Sequence, residues 1–542
     1  MAFVFSVQRQ PQTDPHESVF LLIMARMLDR LVLCLSGLQL ILAADHPSYV
    51  AAVYEHRVLL NPNPRVPLDR RSALEHMKQN LRVFEEQTAL AAQQGAQIIV
   101  FPEDAIHGFN FTRASIAGYL ETVPDPQKVT WSPCADPLRF PDTEVLHSLS
   151  CMARNNSLFL VANMPSRQSC NRTSDPRCPE DSQYQFNTNV VFSDQGIIVA
   201  RYHKQNLYFE AAFDAPPECE YVTFTTPFAG RFGVFTCFDI LFRDPAVTLV
   251  KEMGIRQIVY PTAWMNQLPL MAAVQFQRSF SHATGITLLA ANVRAAEYGI
   301  TGSGIFTPWD SLIHHDTEGN SGKLLVRRVP VLDPSFIGDD RLKLVPFSGY
   351  QNSKEPEKMH VWPTSSFNSN HDGKYCQKDS EYAEGTSSTT FNSIMMYDNF
   401  TLVPLQGTEG NISICSGSVC CHLLFRRSDA REFYALGVFN GLHVVHGTFY
   451  LEICALVRCT GEHHNSCGGE TEHAQTLVDF RLAGTFTTTH VFPGILGSGM
   501  TLDVPDHSGW EGGNGFYMSR TGMSAGLVTA VLYGRHYEKD NV

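Results

Sequence analysis

The sequence predicts an α/β layered fold with a second, β-rich region at its C-terminal end. Apolar strand-like runs alternate with amphipathic helices from Ser72 to Ala291, whereas strand-like runs alone dominate beyond Phe400. The residues best suited to chemistry stand just past strand ends, where α/β folds commonly place their sites.

The first segment reads as a leader. Arg26 and Arg30 precede an apolar stretch, Leu31 to Leu42, followed by Ala43, Ala44 and polar Asp45. That order of charged, apolar and small residues predicts a secretory signal over 1–44, with Met24 or Met27 as alternative starts. Its apolar core is too short to span a bilayer comfortably. Leu74, Met77, Leu81, Phe84 and Ala91 recur at helical spacing and predict a helix from Ser72 to Gln93, stopped by Gly95. Ile98–Phe101 is a buried strand that runs into Glu103. A helix over Thr143–Ala153 with Asp142 as its cap precedes a strand over Leu158–Ala162. Asn189–Phe192 and Ile197–Tyr202 flank the turn Asp194-Gln195-Gly196, with Lys204 just past the hairpin. Phe232–Thr236 is a strand that enters Cys237. Asp244-Pro245 caps a helix to Met253; strand Ile255–Tyr260, helix Leu270–Thr284 and strand Ile286–Ala291 follow.

The polar stretch from Asn352 to Thr390 reads as a linker, and Phe400–Pro404, Val419–Phe425, Phe449–Val457 and Leu477–Leu482 read as strands beyond it. The expected division is 1–44 leader, 45–350 catalytic domain, 351–392 linker and 393–542 β-rich domain.

At 542 residues, with 44% hydrophobic and 18% charged, the chain is globular. Its net charge of −13, with no long Lys/Arg run, argues against a nucleic-acid or anionic-membrane surface. Five sequons, at Asn110, Asn155, Asn171, Asn399 and Asn411, suit a secreted glycoprotein. Of the 14 cysteines, Cys34 lies in the leader and Cys237 is reserved as a nucleophile, which leaves twelve for disulfides, Cys219 among them. A zinc site at Cys454, Cys459, His463, His464 and Cys467 is the competing use of some of them; in a secreted chain disulfides are favoured and no metal is expected.

Glu103, Lys204 and Cys237 supply one carboxylate, one ammonium and one thiol, the set needed to cleave an amide through a thioester. Glu103 is the expected proton acceptor and Cys237 the nucleophile. Lys204, as proton donor, and the backbone N–H of Phe238 are expected to stabilise the oxyanion. A helix start at Cys237 and the nearby Lys204 both favour thiolate over thiol.

The ordered Glu–Lys–Cys set resembles the nitrilase, or carbon–nitrogen hydrolase, superfamily. Segments 98–104, 108–113, 184–189, 206–210, 261–266 and 301–305 resemble its biotinidase–vanin branch, and Met265-Asn266-Gln267-Leu268-Pro269-Leu270 is similar to the biotinidase side of it. The resemblance implies a four-layer α-β-β-α sandwich with an added β domain. It implies release of biotin from biotinyl-lysine (biocytin) and biotinyl peptides, or alternatively hydrolysis of pantetheine to pantothenate and cysteamine. No cofactor is implied, since biotin would be a product; the partners are small-molecule substrates, and a monomer is expected. Vanins carry a lipid anchor that needs an apolar tail, and the polar ending Tyr533 to Val542 predicts a soluble, secreted product instead. Tyr208, Phe209, Trp264 and Asn266 are the candidates for the substrate slot. Cys219 departs from the family pattern, so its partner is open. A binding glycoprotein that holds biotin without cleaving it is the rival from another class.

Overall fold

In β1 (Ser48–Arg57) every residue from Ala51 to His56 is buried, yet alternate side chains enter different cores. Tyr49, Ala51 and Val53 join one apolar cluster, while Ala52 and Tyr54 join another. A strand buried on both faces belongs to an inner layer. The computed structural model describes residues 47–319, 321–333 and 390–540. The expected leader, residues 351–389 of the expected linker, and Cys376 lie outside them.

The outer layer on one side is α1 (Arg70–Gln93) and α2 (Glu144–Asn156). α1 buries Met77, Leu81, Phe84 and Ala91, and Asp69 caps it by accepting the Ser72 N–H. Phe84 stacks on Phe101 with ring centroids 3.9 Å apart, which pins α1 over the strand that leads to Glu103. Asp142 does not cap α2: Thr143 holds the cap position and Asp142 lies outside it at φ +54°. The first-turn donors of α2 are instead satisfied from afar, because buried Glu121 accepts Val145 N–H at 2.8 Å and Leu146 N–H at 3.0 Å.

The remaining strands of the main sheet path are β2 (Ile98–Val100), β3 (Phe159–Ser169), β4 (Gln183–Phe192), β5 (Ile198–His203), β6 (Thr223–Thr226), β7 (Gly230–Val234), β8 (Gln257–Thr262) and β9 (Thr287–Arg294). Their order is β5-β4-β3-β2-β1-β9-β8-β7-β6. β1 and β9 meet over only His56–Val293 and Arg57–Arg294, so the path divides there into two halves. The halves pack face to face: Tyr49 of β1 meets Phe232 of β7 at 5.7 Å, and Phe159 of β3 stacks on Phe224 of β6 at 6.3 Å. The second half is covered by α3 (Ala273–Thr284), which completes an α-β-β-α sandwich.

α3 is buried on its outer side too. Phe276 and Phe280 lie 5.7 and 5.6 Å from Phe492, and Phe276 lies 5.4 Å from Tyr533. Both partners belong to a seven-stranded C-terminal sheet, which packs its other face on a five-stranded sheet around Leu423, Phe425, Leu436, Leu456 and Leu532. The described residues from Tyr49 onward form one compact unit.

Five disulfides form among the described residues: Cys134–Cys151, Cys170–Cys178, Cys415–Cys420, Cys421–Cys454 and Cys459–Cys467. Cys421–Cys454 joins the two C-terminal sheets, and with Cys459–Cys467 it consumes the thiols a zinc site would need. Ten of the twelve cysteines expected to pair do so; Cys376 lies outside the described residues, and Cys219 has no disulfide partner within them. Among the described residues its only unpaired fellow is Cys237, which is buried at a strand end. The five sequon asparagines are all exposed.

Phe280→Ala, which opens a cavity between α3 and the C-terminal sheet, is expected to cost about 3–5 kcal/mol. Thermal unfolding checks it: one lowered transition is expected, and an unchanged midpoint would show that this contact carries no stability.

Candidate active site

Strand ends deliver all three groups. Glu103 follows β2, where Asp104 turns the chain at φ +54° and donates its N–H to Asn163 Oδ1 at 3.0 Å. Lys204 follows β5 directly and fixes its own N–H on Asn187 O at 2.9 Å. Cys237 opens the short 3₁₀ turn Cys237–Leu241 just beyond β7, at φ +44°. Residues with a side chain resist that left-handed conformation, so the surroundings must impose it. The Tyr260 hydroxyl donates to Cys237 O at 2.7 Å. Buried Asp239 accepts Thr236 N–H at 3.0 Å and the Tyr202 hydroxyl at 2.6 Å on Oδ2, and both N–H groups of Asn206 on Oδ1 at 2.9 and 2.8 Å. The nucleophile turn is thereby tied to the strand and loop that carry Lys204.

The polar groups converge where almost no water reaches. Glu103 and Lys204 are 1% and 2% exposed, which makes their pairing obligatory. Glu103 Oε1 accepts Lys204 Nζ at 2.6 Å and Asn187 Nδ2 at 2.8 Å, while Oε2 accepts Ala263 N–H at 2.9 Å. Lys204 also bonds a second carboxylate, Glu210, whose Oε2 accepts Asn187 Nδ2 at 2.7 Å. Glu210 was not among the expected site residues. Nor were the asparagines behind it: Asn163 Nδ2 donates to Asn187 and Asn189 at 2.6 and 2.9 Å, and Asn189 donates to Thr236 at 2.8 Å. One signal for them exists, because Asn187 and Asn189 are same-face polar residues in an otherwise buried strand.

Burial pushes the Cys237 thiol well above its ordinary range, Glu103 adds to the rise, and Lys204 only partly opposes it. This corrects the expected thiolate: the resting group is a thiol, and its proton needs an acceptor as attack begins. Burial disfavours the Lys204 ammonium, but Glu103 and Glu210 more than offset it and hold the group charged. Burial also raises Glu210, with Lys204 opposing. Asp239 is pushed up to about 6 by burial, against its bond from Tyr202.

A mostly apolar pocket opens over Cys237. Tyr208, Phe238 and Trp264 wall it on one side, and Phe400, Phe449 and Ile453 of the C-terminal sheet wall it on the other. Tyr208 and Trp264, two of the four slot candidates, line this pocket. Phe209 does not: at φ +54° its ring turns outward, 70% exposed, against His446. Asn266 does not either, because its amide donates to Gly299 O and Thr301 O at 3.1 and 2.9 Å and accepts Ala273 N–H at 2.7 Å. It braces a loop.

Residues 62–304 match the carbon–nitrogen hydrolase family and residues 375–540 match the vanin C-terminal domain. The biotinidase of Mus musculus is 52% identical over 91% of this chain and 93% of its own length. That of Homo sapiens is 50% identical over 92% of this chain and 91% of its own. The pantetheinase of Mus musculus is 42% identical over 93% of this chain and 92% of its own.

The protein at neutral pH is expected to lack the ultraviolet thiolate band that Cys237→Ala would remove. The difference spectrum should emerge only well into the alkaline range. A band already present at pH 7 would contradict a buried thiol.

Proposed function

The chain belongs to the carbon–nitrogen hydrolase family, in its biotinidase–vanin branch, and we propose that it releases biotin from biocytin and biotinyl peptides. The observation that carries this reading is a buried thiol, beside the Glu103–Lys204 ion pair, in the lining of a mostly apolar pocket. The amide carbonyl enters above Cys237. As Sγ attacks the carbonyl carbon, Glu103 takes the thiol proton. An ammonium has three donors, and Glu103 and Glu210 use two of Lys204's, which leaves one to meet the developing oxyanion. The N–H of Phe238 lies in the first turn after Cys237, where helical N–H groups have no intrahelical partner, and serves as the second donor. Collapse breaks the C–N bond, and Glu103 passes its proton to the leaving amine. Water, deprotonated by Glu103, then cleaves the thioester and frees the acid and the Cys237 thiol.

The wall favours biotin over pantothenate as the acyl half. Leu241, Met271, Phe400, Phe449 and Ile453 suit a hydrocarbon chain better than a polar, hydroxylated one. Pantetheine hydrolysis is the second reading, supported by the pantetheinase relatives, which share most of this chain's length. Secretion as a glycoprotein is supported by the five disulfides among the described residues and five exposed sequon asparagines.

Amine release from biocytin and from pantetheine, with Cys237→Ala as control, tests the proposal. Biocytin cleavage that disappears in the variant is expected. Cleavage of pantetheine alone would move the substrate, and biocytin cleavage by Cys237→Ala would overturn the mechanism. Protein collected from the medium of expressing animal cells should run faster on a gel after enzymatic removal of N-glycans; unchanged mobility would leave the sequons unused.

A further inference from the structure

Two loops of the C-terminal sheet line the pocket, and both are held in conformations that ordinary residues resist. Strands Phe391–Met395 and Asp398–Pro404 pair directly through Met395 and Asp398, so Met396 and Tyr397 alone make the turn. Both have positive φ, 50° and 71°, in a turn type that favours Asn-Gly. The facing loop holds His446 at φ 64°. Its ring lies 4.9 Å from Tyr397 and shares a 3.0 Å hydrogen bond with the Tyr208 hydroxyl. Strain of this kind persists where the surroundings over-determine it, as at ligand clamps.

The turn presents a carboxylate to a mostly apolar cavity. Asp398 lines the pocket although it is only 8% exposed. His443 bonds its Oδ2 through Nδ1 at 2.8 Å, and bonds Val445 O through Nε2. A carbonyl oxygen only accepts, so Nε2 carries a proton and the imidazole orientation is fixed. His443 also stacks on Phe449 at 4.5 Å, which leaves it little freedom. Its hold on Oδ2 leaves Asp398 Oδ1 as a preset acceptor without a hydrogen-bond partner among the described residues.

We propose that Asp398, positioned by His443, receives the N–H donors of a cyclic urea at the distal end of the acyl group and so sets acyl specificity. The proposal rests on the reading of the acyl half as biotin, whose ureido ring carries two such donors on a pentanoyl chain. The apolar walls take the chain, and the carboxylate takes the ring. An acyl group of similar length without donors would desolvate Oδ1 and leave it without a hydrogen bond, and selectivity follows from that penalty.

The test compares a biotinyl amide with a lipoyl amide, which has the same pentanoyl chain on a ring with no N–H. Wild-type cleavage of the biotinyl amide is established first, and its absence would remove the biotin reading rather than this one. Asp398→Ala is then expected to lower kcat/KM for the biotinyl amide by about 10–100-fold, mostly through KM, with the lipoyl amide unchanged or faster. Equal losses on both substrates would show a structural role only and overturn the proposal, as would no loss on either. Should Asp398→Ala fail to fold, the wild-type protein still decides. A biotinyl amide methylated on both ureido nitrogens should show a KM raised at least about 10-fold, and an unchanged KM would refute the assignment.

Discussion

One ammonium between a buried carboxylate and a nearly buried one sets the terms for the rest of this molecule. Lys204 bonds both Glu103 and Glu210, and all three are nearly or wholly removed from water. Desolvating such charges costs several kcal/mol each, and losing one partner of such a pair typically costs about 3–5 kcal/mol. The site is therefore stable only as a set. The surrounding amides complete it: Asn187 reaches both carboxylates, and Asn163 and Asn189 carry the same network across β3 and β4 to Thr236 beside the nucleophile. The same dryness keeps Cys237 protonated and makes Glu103, which adds to that rise, the natural recipient of its proton. Fold and mechanism share one cause, the exclusion of water from the strand ends.

The C-terminal sheets follow from that constraint. A dry site needs a cover, and the α-β-β-α sandwich by itself would leave the outer side of α3 and the mouth above Cys237 exposed. The seven-stranded sheet closes both, with Phe492 on α3 and Phe400, Phe449 and Ile453 on the pocket. Arg535 ties the cover to the nucleophile turn. Fully buried, it donates Nε to Leu241 O at 2.8 Å while Asp540 balances its charge at 2.7 Å. The β-rich region is thus part of the site as well as its cover.

Much of this was legible in the chain because the signals were local. Apolar runs ending at Glu103, Lys204 and Cys237 placed all three groups at strand ends, and the helix of Leu74 to Ala91 emerged with nearly the expected limits. β3 ran seven residues past its expected end at Ala162, because Asn163 to Ser169 is partly polar and only pairing with β4 makes it strand. Glu210 stood inside a recognised segment, but its meeting with Lys204 depends on how the loop after β5 folds back. The thiolate expectation failed for a related reason, since desolvation belongs to the assembled layers and no short motif reports it. The pocket's second wall lies more than 150 residues along the chain from Cys237, beyond any spacing argument.

The claim on which the account turns is that the acyl group passes through Cys237 as a thioester. Mass spectrometry of the enzyme quenched in acid during turnover of an activated biotinyl ester, which makes deacylation rate-limiting, tests it directly. One biotinyl group, labile to hydroxylamine, is expected on the peptide that contains Cys237. An adduct on any other residue, or turnover that continues with no adduct at all, would contradict it.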